Sequence, residues 1–466
     1  MIWLILIIGF ILRSIGLNQS LWLDEAAQAL ESIRPLNQQF DIVGDFQPPL
    51  FHLLLHFWLY LGKNEIFLRL LPVLIGVLTI FVIYKLAYIL GNKNIALICA
   101  GLLSISPFHI WYSQEIRPYA LSVLLGITAT YFLVNKKFVY YAISTILFIY
   151  SIYLAPFLVL AHGIYIALFE KNSLKKWMIS IGFMVVSFIP WIPQFIKQLN
   201  IGTGLVSALP GWGDAVSTPI VKILPLIFVK FIIGRITFDN KLVYGSISAI
   251  LFTIFTYLTI KGCKKNIKMA KQLLVLLIVP IISAFLVSIF LPILAPQRVL
   301  YVLPIFYLLI SLGLNSIDNK QVKIGIIGIF LVISSYSNYQ YVTNVRFQRE
   351  QWRQAVKFVE SQGNSKSIAV FIFPEAFAPW KYYSRKIVPS IGVASKFVVN
   401  QQDLKQSFDR INKSDKVFLF HYLEDLTDPE KQVSKYLIDL GFIEIKKTDF
   451  PGVGFISIYE KYIAYN

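Results

Sequence analysis

Long apolar runs separated by short polar loops fill the chain up to about residue 338. A helix that crosses a bilayer needs about 20 apolar residues, so the runs predict a polytopic α-helical membrane protein of about 11 spans. Ile2–Leu17 lacks the basic start and the cleavage site of a signal peptide, and we interpret it as an uncleaved first span. The other predicted spans lie at about 66–90, 95–112, 118–134, 138–153, 155–169, 177–193, 242–260, 272–291, 298–314 and 322–338.

Lys and Arg in the connecting loops predict the orientation of these spans. With the N-terminus inside, the basic loops fall inside, and acidic residues such as Asp45, Glu65 and Asp214 fall outside. The apolar stretch 221–237 would invert every later loop if it crossed, so we predict a re-entrant or interfacial helix there. The predicted inside loops are 91–94, 135–137, 170–176, 261–271 and 315–323.

From about residue 339 charged residues become dense and the apolar runs shorten, which indicates a soluble domain. The hydrophobic patterns of this region predict a small α/β fold. The predicted orientation of the spans places it on the extracytoplasmic side of the plasma membrane. We therefore divide the chain into a transmembrane domain, 1–338, and an extracytoplasmic domain, 339–466. The predicted elements are helices at Gln351–Gln362 and Asp428–Leu440 and strands at Ser367–Phe373, Lys416–His421 and Phe455–Lys461.

Composition agrees with a membrane protein, because 56% of the 466 residues are hydrophobic and only 15% are charged. The net charge of +18 could indicate nucleic-acid binding in a soluble protein. Residues 1–338, however, hold 25 basic and 11 acidic residues, and residues 339–466 hold 18 and 14. The excess thus lies in short membrane loops, where it signals topology, and we expect no nucleic-acid partner.

The first outside loop, 18–65, is long for a helix connection, and loops of this length usually carry function. It begins with Trp22-Leu23-Asp24-Glu25, which places two adjacent carboxylates beside an aromatic ring. A carboxylate near an apolar boundary can be tuned to act as a general base. The alternative is structural, with Asp24 as the N-cap of the helix that follows.

A second candidate cluster lies in the predicted outside turn at 106–119. Glu115 and Arg117 stand there beside Tyr119, and charges at a membrane boundary are candidates for function because burying them is costly. The alternative is an interfacial aromatic belt with a local salt bridge.

Three further groups are predicted on the same side of the membrane. Arg69 and Arg298 could bind a phosphate group through paired N–H donors, or they could be snorkelling side chains. Gln297 precedes Arg298 directly. His52 and His56 are four residues apart, a spacing that a zinc site also uses, so a divalent metal remains open although no third ligand is evident.

Four motifs occur in order along 1–338: W-x-D-E at 22–25, Q-P-P-L-F-H at 47–52, Y-S-Q-E-I-R-P-Y at 112–119 and Q-R-x-L-Y-x-L-P at 297–304. In this order they resemble the GT-C superfamily of membrane glycosyltransferases. Specifically, they look like glycosyltransferase family 39, which includes protein O-mannosyltransferases and lipid A aminoarabinose transferases.

The resemblance implies an inverting transfer of one sugar from a polyprenyl-phosphate donor to a glycan, lipid or protein acceptor on the extracytoplasmic side. Asp24 matches the catalytic base of the family, Glu25 is its neighbour and Glu115 matches the second carboxylate. Arg117, Arg298 and Arg69 would bind the donor phosphate. Trp22, His52, Tyr119 and Gln297 would line the substrate pocket.

Two alternatives to this function remain at the level of sequence. A secondary transporter would carry ionisable residues in the middle of its spans, whereas most here cluster at the predicted outer ends. A ligase or polymerase of surface glycans would also use lipid-linked sugars. The aromatic residues Trp380, Tyr382 and Tyr383, which we expect to be exposed on the outer domain, could contact the acceptor or could serve packing.

Overall fold

The computed structural model describes residues 1–42, 44–208, 219–396 and 398–461, so Asp214 lies outside the described residues. The chain forms two compact units. The first, here called the membrane unit, comprises Met1–Leu17, Arg34–Leu199 and, among the described residues, 219–343. The second, the outer unit, contains Asn18–Ile33, the chain from Asn344 onwards and a short piece that begins at Asn200.

Apolar helices build the membrane unit. Six are long and apolar enough to cross a membrane: Glu65–Leu90, Lys171–Gly204, Lys241–Lys265, Ile267–Ser288, Pro296–Asn315 and Lys320–Thr343. Five shorter apolar helices are Ile2–Ser14, Lys93–Ile105, Tyr119–Val134, Phe138–Ile149 and Ala155–Phe169. Together they match the apolar runs of the sequence one for one, while the number of crossings stays a prediction.

Short helices complete this unit. They are Leu50–Trp58, Pro107–Tyr112 and Ile220–Ile233, with short 3₁₀ segments at Leu36–Gln38, Lys171–Ser173, Ile189–Trp191 and Pro296–Val302. The long segment Lys171–Gly204 contains the 3₁₀ segments Lys171–Ser173 and Ile189–Trp191, the helix Leu174–Phe188 and most of the helix Ile192–Ala208, whose residues from Asn200 onwards belong to the outer unit.

The segment Pro296–Asn315 is the most enclosed of the long helices, since 89% of its apolar window is buried. It is apolar on all sides, as expected of a helix surrounded by other helices. At Gly313 a Cβ atom would come within 2.3 Å of the Leu258 carbonyl oxygen, so glycine allows the helix Lys241–Lys265 to approach closely.

The stretch predicted at 221–237 forms the helix Ile220–Ile233, which ends before Gly234 at a φ of 71°. Lys230 is buried, and its ammonium group donates to the carbonyl oxygens of Arg235 and Ile236 at 3.1 and 2.9 Å. Protein groups thus satisfy the buried charge. Whether the segment re-enters the membrane stays a prediction.

The outer unit contains a five-stranded sheet. Its strands are β1 Ser367–Phe371, β2 Ser390–Gly392, β3 Lys416–Phe420, β4 Phe442–Phe450 and β5 Gly454–Lys461. The strand order is β2-β1-β3-β5-β4, in which β2, β1 and β3 are parallel and β3, β5 and β4 are antiparallel. The helices are Leu23–Ile33, Trp352–Gln362, Ala378–Tyr383, Gln401–Asn412, Glu424–Thr427 and Gln432–Asp439, with a single turn at Val345–Phe347.

Alternate residues of β1 and β3 enter two cores, one on each face of the sheet. Phe371 and Phe418 pack in one core with Trp352, and Val370 and Leu419 pack in the other. The fold agrees with the small C-terminal sheet expected from the sequence, although β2 and β4 were not predicted, and the side of the membrane on which the sheet lies stays a prediction. The placement of Asn18–Ile33 in this unit differs from the sequence-based division, whose boundary at 338 stays a prediction.

Candidate active site

Asp24 lies in the helix Leu23–Ile33, here called the Asp24 helix. The helix begins at Leu23, so Asp24 and Glu25 occupy its first turn and Asp24 is not its N-cap. Carboxylates in a first turn interact favourably with the partial positive charge of the helix N-terminus. Trp22 directly precedes the helix and is partly buried.

The two adjacent carboxylates lie in different surroundings. Glu25 is fully buried, and its Oε1 faces Nη1 of Arg349 at 3.7 Å. Asp24 is only partly buried. Because a base must reach its substrate, this difference favours Asp24 for chemistry and gives Glu25 a structural ion pair with Arg349.

Glu350 is a further carboxylate of this region, and the sequence reasoning missed it. Its Oε2 accepts from the Leu23 N–H at 3.3 Å and from Trp352 Nε1 at 2.7 Å, and its Oε1 accepts from the Tyr422 hydroxyl at 3.0 Å. Burial and the nearby charge of Asp24 raise the pKa of Glu350 to about 7, against the lowering effect of these donors. In the sequence, Glu350 is only a charge before a predicted helix.

In the membrane unit, Arg117 forms a two-point ion pair with Asp45. Nη1 and Nη2 of Arg117 lie 3.0 and 3.1 Å from the two carboxylate oxygens, and both side chains are 12% exposed. His52 Nε2 lies 3.3 Å from Asp45 Oδ2, and the Gln47 side chain donates to the same oxygen. The structure thus brings together Arg117 and His52 through Asp45, which was not among the predicted site residues.

Gln198 holds the loop that carries Asp45. Its side-chain amide donates to the carbonyl oxygens of Ile42, Asp45 and Gln47 at 2.5, 2.6 and 3.2 Å. The Tyr153 hydroxyl in turn donates to the Gln198 side-chain oxygen. Burial would raise the pKa of Asp45, but Arg117 and the hydrogen bond with His52 outweigh it and hold the pKa well below its usual range.

Glu115 belongs to an aromatic cluster in the same unit. Trp111 Nε1 donates to Glu115 Oε2 at 3.2 Å, and the guanidinium of Arg235 stacks over the Trp111 ring, 4.6 Å from its centroid. The rings of Tyr112 and Tyr119 meet edge to face, with centroids 5.0 Å apart. The sequence reasoning missed Arg235, which follows the helix Ile220–Ile233 and had no motif to mark it.

Arg69 and Arg298 bind backbone carbonyls. Arg69 is fully buried and donates to the Leu17 oxygen at 2.8 Å, which is not the placement of a snorkelling side chain. Arg298 is partly buried and donates to the Ile293 oxygen at 2.9 Å, and Gln297 beside it is also partly buried.

His52 and His56 are both buried in the helix Leu50–Trp58. His52 contacts Asp45, and His56 Nε2 lies 3.4 Å from the Tyr60 hydroxyl. Within the described residues, no group of three His, Cys, Asp or Glu side chains could hold a metal ion.

Comparison with known proteins gives one family and several structures. The model of the dolichyl-phosphate-mannose-protein mannosyltransferase family matches residues 46–196, a range that includes Glu115 and Arg117 but not Asp24. No curated protein matches the sequence.

Among solved structures, ArnT from Cupriavidus metallidurans in the apo state is similar with a TM-score of 0.58 and 12% identity, over 97% of this chain and 96% of that one. The structure of that ArnT bound to undecaprenyl phosphate is similar with a TM-score of 0.58 and 11% identity, over 99% of this chain and 97% of that one. The oligosaccharyltransferase AglB from Archaeoglobus fulgidus was solved in complex with an inhibitory peptide and a dolichol-phosphate. It is similar with a TM-score of 0.55 and 11% identity, over 100% of this chain and 75% of that one.

At these identities the structural likeness establishes the fold. The resemblance seen in the sequence motifs agrees with it, and so does the family model. The chain has the fold of the GT-C membrane glycosyltransferases ArnT and AglB, and its residues 46–196 match the dolichyl-phosphate-mannose-protein mannosyltransferase family model.

Proposed function

We propose that the protein moves a single sugar from a polyprenyl-phosphate donor to an acceptor on the extracytoplasmic face of the plasma membrane, with inversion at the anomeric carbon. The main support is the likeness to ArnT along nearly the whole of both chains, because that protein was solved with undecaprenyl phosphate. AglB, similar over all of this chain, was solved with a dolichol-phosphate. Both ligands are polyprenyl phosphates, so we infer this donor class.

In the proposed reaction Asp24 is the general base. Its carboxylate removes the proton of the acceptor hydroxyl while the acceptor oxygen bonds to the anomeric carbon of the sugar. The bond from that carbon to the donor phosphate breaks, and the electron pair leaves with the polyprenyl phosphate. A phosphate leaving group requires no general acid, so one base and several cations are sufficient. A single displacement of this kind inverts the anomeric carbon.

Arg117 and Arg298 are the proposed cations for the donor phosphate. Arginine suits this role because its paired N–H donors match two phosphate oxygens. The fork of Arg117 holds Asp45, so we infer that the phosphate competes with Asp45 for it. Arg69, which is buried and donates to the Leu17 carbonyl oxygen, is proposed as a third cation for the donor phosphate.

Glu115 is proposed as the second carboxylate of the site, and Trp22, His52, Tyr119 and Gln297 as lining of the substrate pocket. The aromatic surroundings of Glu115 support this, since sugars pack well against aromatic rings that stand beside polar groups. The proposed catalytic domain is 1–338 and the proposed outer domain is 339–466. The acceptor is a glycan, a lipid or a protein, and a divalent metal is not required by the proposed steps.

Native mass spectrometry with added polyprenyl phosphates and polyprenyl-phosphate sugars tests the donor class. We expect specific binding that the double variant Arg117→Ala plus Arg298→Ala loses. Arg346→Ala is the matched control, because Arg346 is exposed and stacks on Phe347. A folded wild-type protein that binds none of these lipids would contradict the proposal and make solute uptake the next assay.

A further inference from the structure

Residues at the start of the C-terminal domain form hydrogen bonds with the segment that precedes the Asp24 helix. Arg349 N–H donates to the Gln19 side-chain oxygen at 2.9 Å, and the Ser20 hydroxyl donates to the Glu350 carbonyl at 2.6 Å. Arg353 Nη2 donates to the Asn18 carbonyl at 2.7 Å. The residues joined by these bonds are more than 300 positions apart in the sequence, so folding of the outer unit fixes where the helix begins.

Glu350 contacts the residue that directly precedes Asp24. Its Oε2 accepts from the Leu23 N–H, one residue before Asp24, in the manner of a helix cap supplied from elsewhere in the chain. A carboxylate placed there also interacts favourably with the helix dipole. Glu350 therefore satisfies a donor that the helix itself leaves open.

Other parts of the outer unit fix Glu350 in turn. Trp352 Nε1 and the Tyr422 hydroxyl donate to its two oxygens, and Trp352 is fully buried in the core beneath the sheet. Gly452, at a φ of 79°, lies so close that a Cβ atom there would come within 2.8 Å of Glu350 Cα. A rigid surrounding of this kind is what holds a side chain in one productive geometry.

We propose that Glu350 is a positioning residue for Asp24, holding the first turn of the Asp24 helix in place through the Leu23 amide and thereby coupling the outer domain to catalysis. This inference rests on the proposed role of Asp24 as the base. Glu350 itself need not touch the substrate. Its ionised form suits the role, because three donors point at its two oxygens and protonation would turn one acceptor position into a donor.

The groups that face Glu350 determine the pH range of its action. The titratable ones are Asp24 from the Asp24 helix and Tyr422 after β3, while the side chain of its neighbour Arg349 pairs with Glu25. Protonation weakens the acceptor of the Leu23 contact, because a neutral carboxyl oxygen accepts less strongly than a carboxylate, so we expect kcat to rise with pH through about 7, the pKa of Glu350.

The experiment compares Glu350→Ala and Glu350→Gln with wild type in detergent. The control is Glu375→Ala, because Glu375 is in the same domain, has a side chain 67% exposed and pairs only at the surface with Lys381. Hydrogen exchange of amides 23–27 is measured first, and it does not depend on activity. In Glu350→Ala we expect exchange there to become at least about 10-fold faster, and in the control to stay as in wild type.

Kinetics supply the second measurement. A displaced base predicts a kcat about 10- to 100-fold lower in Glu350→Ala with the donor KM within about 2-fold of wild type. Glu350→Gln offers the Leu23 amide a neutral oxygen, as protonated Glu350 does, so we expect it to keep the kcat that wild type shows below pH 7 and to lose the pH dependence near 7. A merely structural role would leave the pH profile of Glu350→Gln like that of wild type.

The two proposals fail in different ways. Unchanged exchange at 23–27 in a folded Glu350→Ala overturns the positioning role, whatever the activity. So does an unchanged kcat in an enzyme that transfers sugar. If wild type transfers no sugar from any donor offered, the proposed function falls, and the exchange measurement still decides whether Glu350 holds the helix.

Discussion

Each unit of the protein contains a pair of carboxylate and arginine, and the two pairs differ in burial. In the outer unit, Glu25 and Arg349 are buried almost completely, and Glu25 Oε1 lies 3.7 Å from Arg349 Nη1. In the membrane unit, Asp45 and Arg117 meet through two bonds of 3.0 and 3.1 Å and are each 12% exposed. The buried pair has little access to a ligand, whereas the forked and partly open pair can exchange one anion for another.

Two carboxylates that are adjacent in sequence, Asp24 and Glu25, also differ. Glu25 is buried and pairs with Arg349, so we expect Asp24 alone to act as the base. Asp24→Asn should lower kcat by about 1,000-fold or more, because a general base contributes about 100- to 10,000-fold. Binding of the polyprenyl phosphate should remain, since the change removes no cation. Transfer assays and native mass spectrometry on the same preparation check both parts, and wild-type turnover in this variant would remove Asp24 from the mechanism.

The sequence predicted Asp24 and Arg117 because each stands in a local motif. It did not predict their partners, because a partner is chosen by the fold: Asp45 is 72 residues from Arg117, and Glu350 is 327 residues from Leu23. Carboxylates of this kind have no local pattern to mark them. Physical reasoning from one sequence therefore located candidate groups but not the ion pairs and hydrogen bonds that determine their use.

The fold shows the same limit. Apolar runs predicted the membrane helices, since burial in lipid or protein leaves a strong local signal. The strand β4 was missed because it is the edge of the sheet, and charged residues such as Lys446 and Lys447 interrupt its apolar pattern. The prediction of an exposed Trp380 was wrong, because this residue is 3% exposed and packs against Phe371 and Phe420 in the core.

The buried pair predicts the largest effect on stability. Arg349→Ala removes one cation that faces the buried Glu25 carboxylate, and breaking a buried pair typically costs about 3–5 kcal/mol. We expect a clear fall in the melting temperature in detergent. The double variant Arg349→Ala plus Glu25→Gln should recover part of the lost melting temperature, because it also removes the buried negative charge of Glu25. Equal melting temperatures for wild type and the single variant would show that the pair contributes nothing to folding.

The open pair predicts an effect on the donor instead. Arg117→Ala should raise the donor KM by about 10- to 100-fold, since a lost charged contact to phosphate costs about 1.5–3 kcal/mol. The acceptor KM should change by less than about 2-fold. Arg117→Lys is the matched variant, and because lysine offers no fork it should recover only part of the affinity. A donor KM that stays at the wild-type value would show that Arg117 does not bind the donor phosphate.

Glu350 has neutral donors in place of an arginine, and this difference predicts a pH dependence of stability. The ordinary pKa of a glutamic acid is 4.5, and in the folded protein it is about 7. Between these values the folded protein holds a proton that the unfolded chain has released, so the contribution of this group to the free energy of unfolding falls as pH rises from about 4.5 to 7. Glu350→Gln cannot ionise. Between pH 5 and pH 8, the free energy of unfolding of this variant relative to that of wild type should rise by about 2 kcal/mol, a value reduced for the partial exposure of Glu350.

The smallest expected effect tests most directly whether the donor phosphate displaces Asp45 from Arg117. If the donor phosphate must displace Asp45 from Arg117, Asp45→Asn weakens the competitor and should tighten donor binding by about 2- to 5-fold, or under 1 kcal/mol. If Asp45 instead orients Arg117 for the phosphate, the same variant should bind the donor more weakly. The pKa of Asp45 lies well below its usual range, so its charge is constant between pH 5 and 9 and the donor titration can be compared across that range. The direction of the change in donor Kd therefore distinguishes a displaced partner from an orienting one.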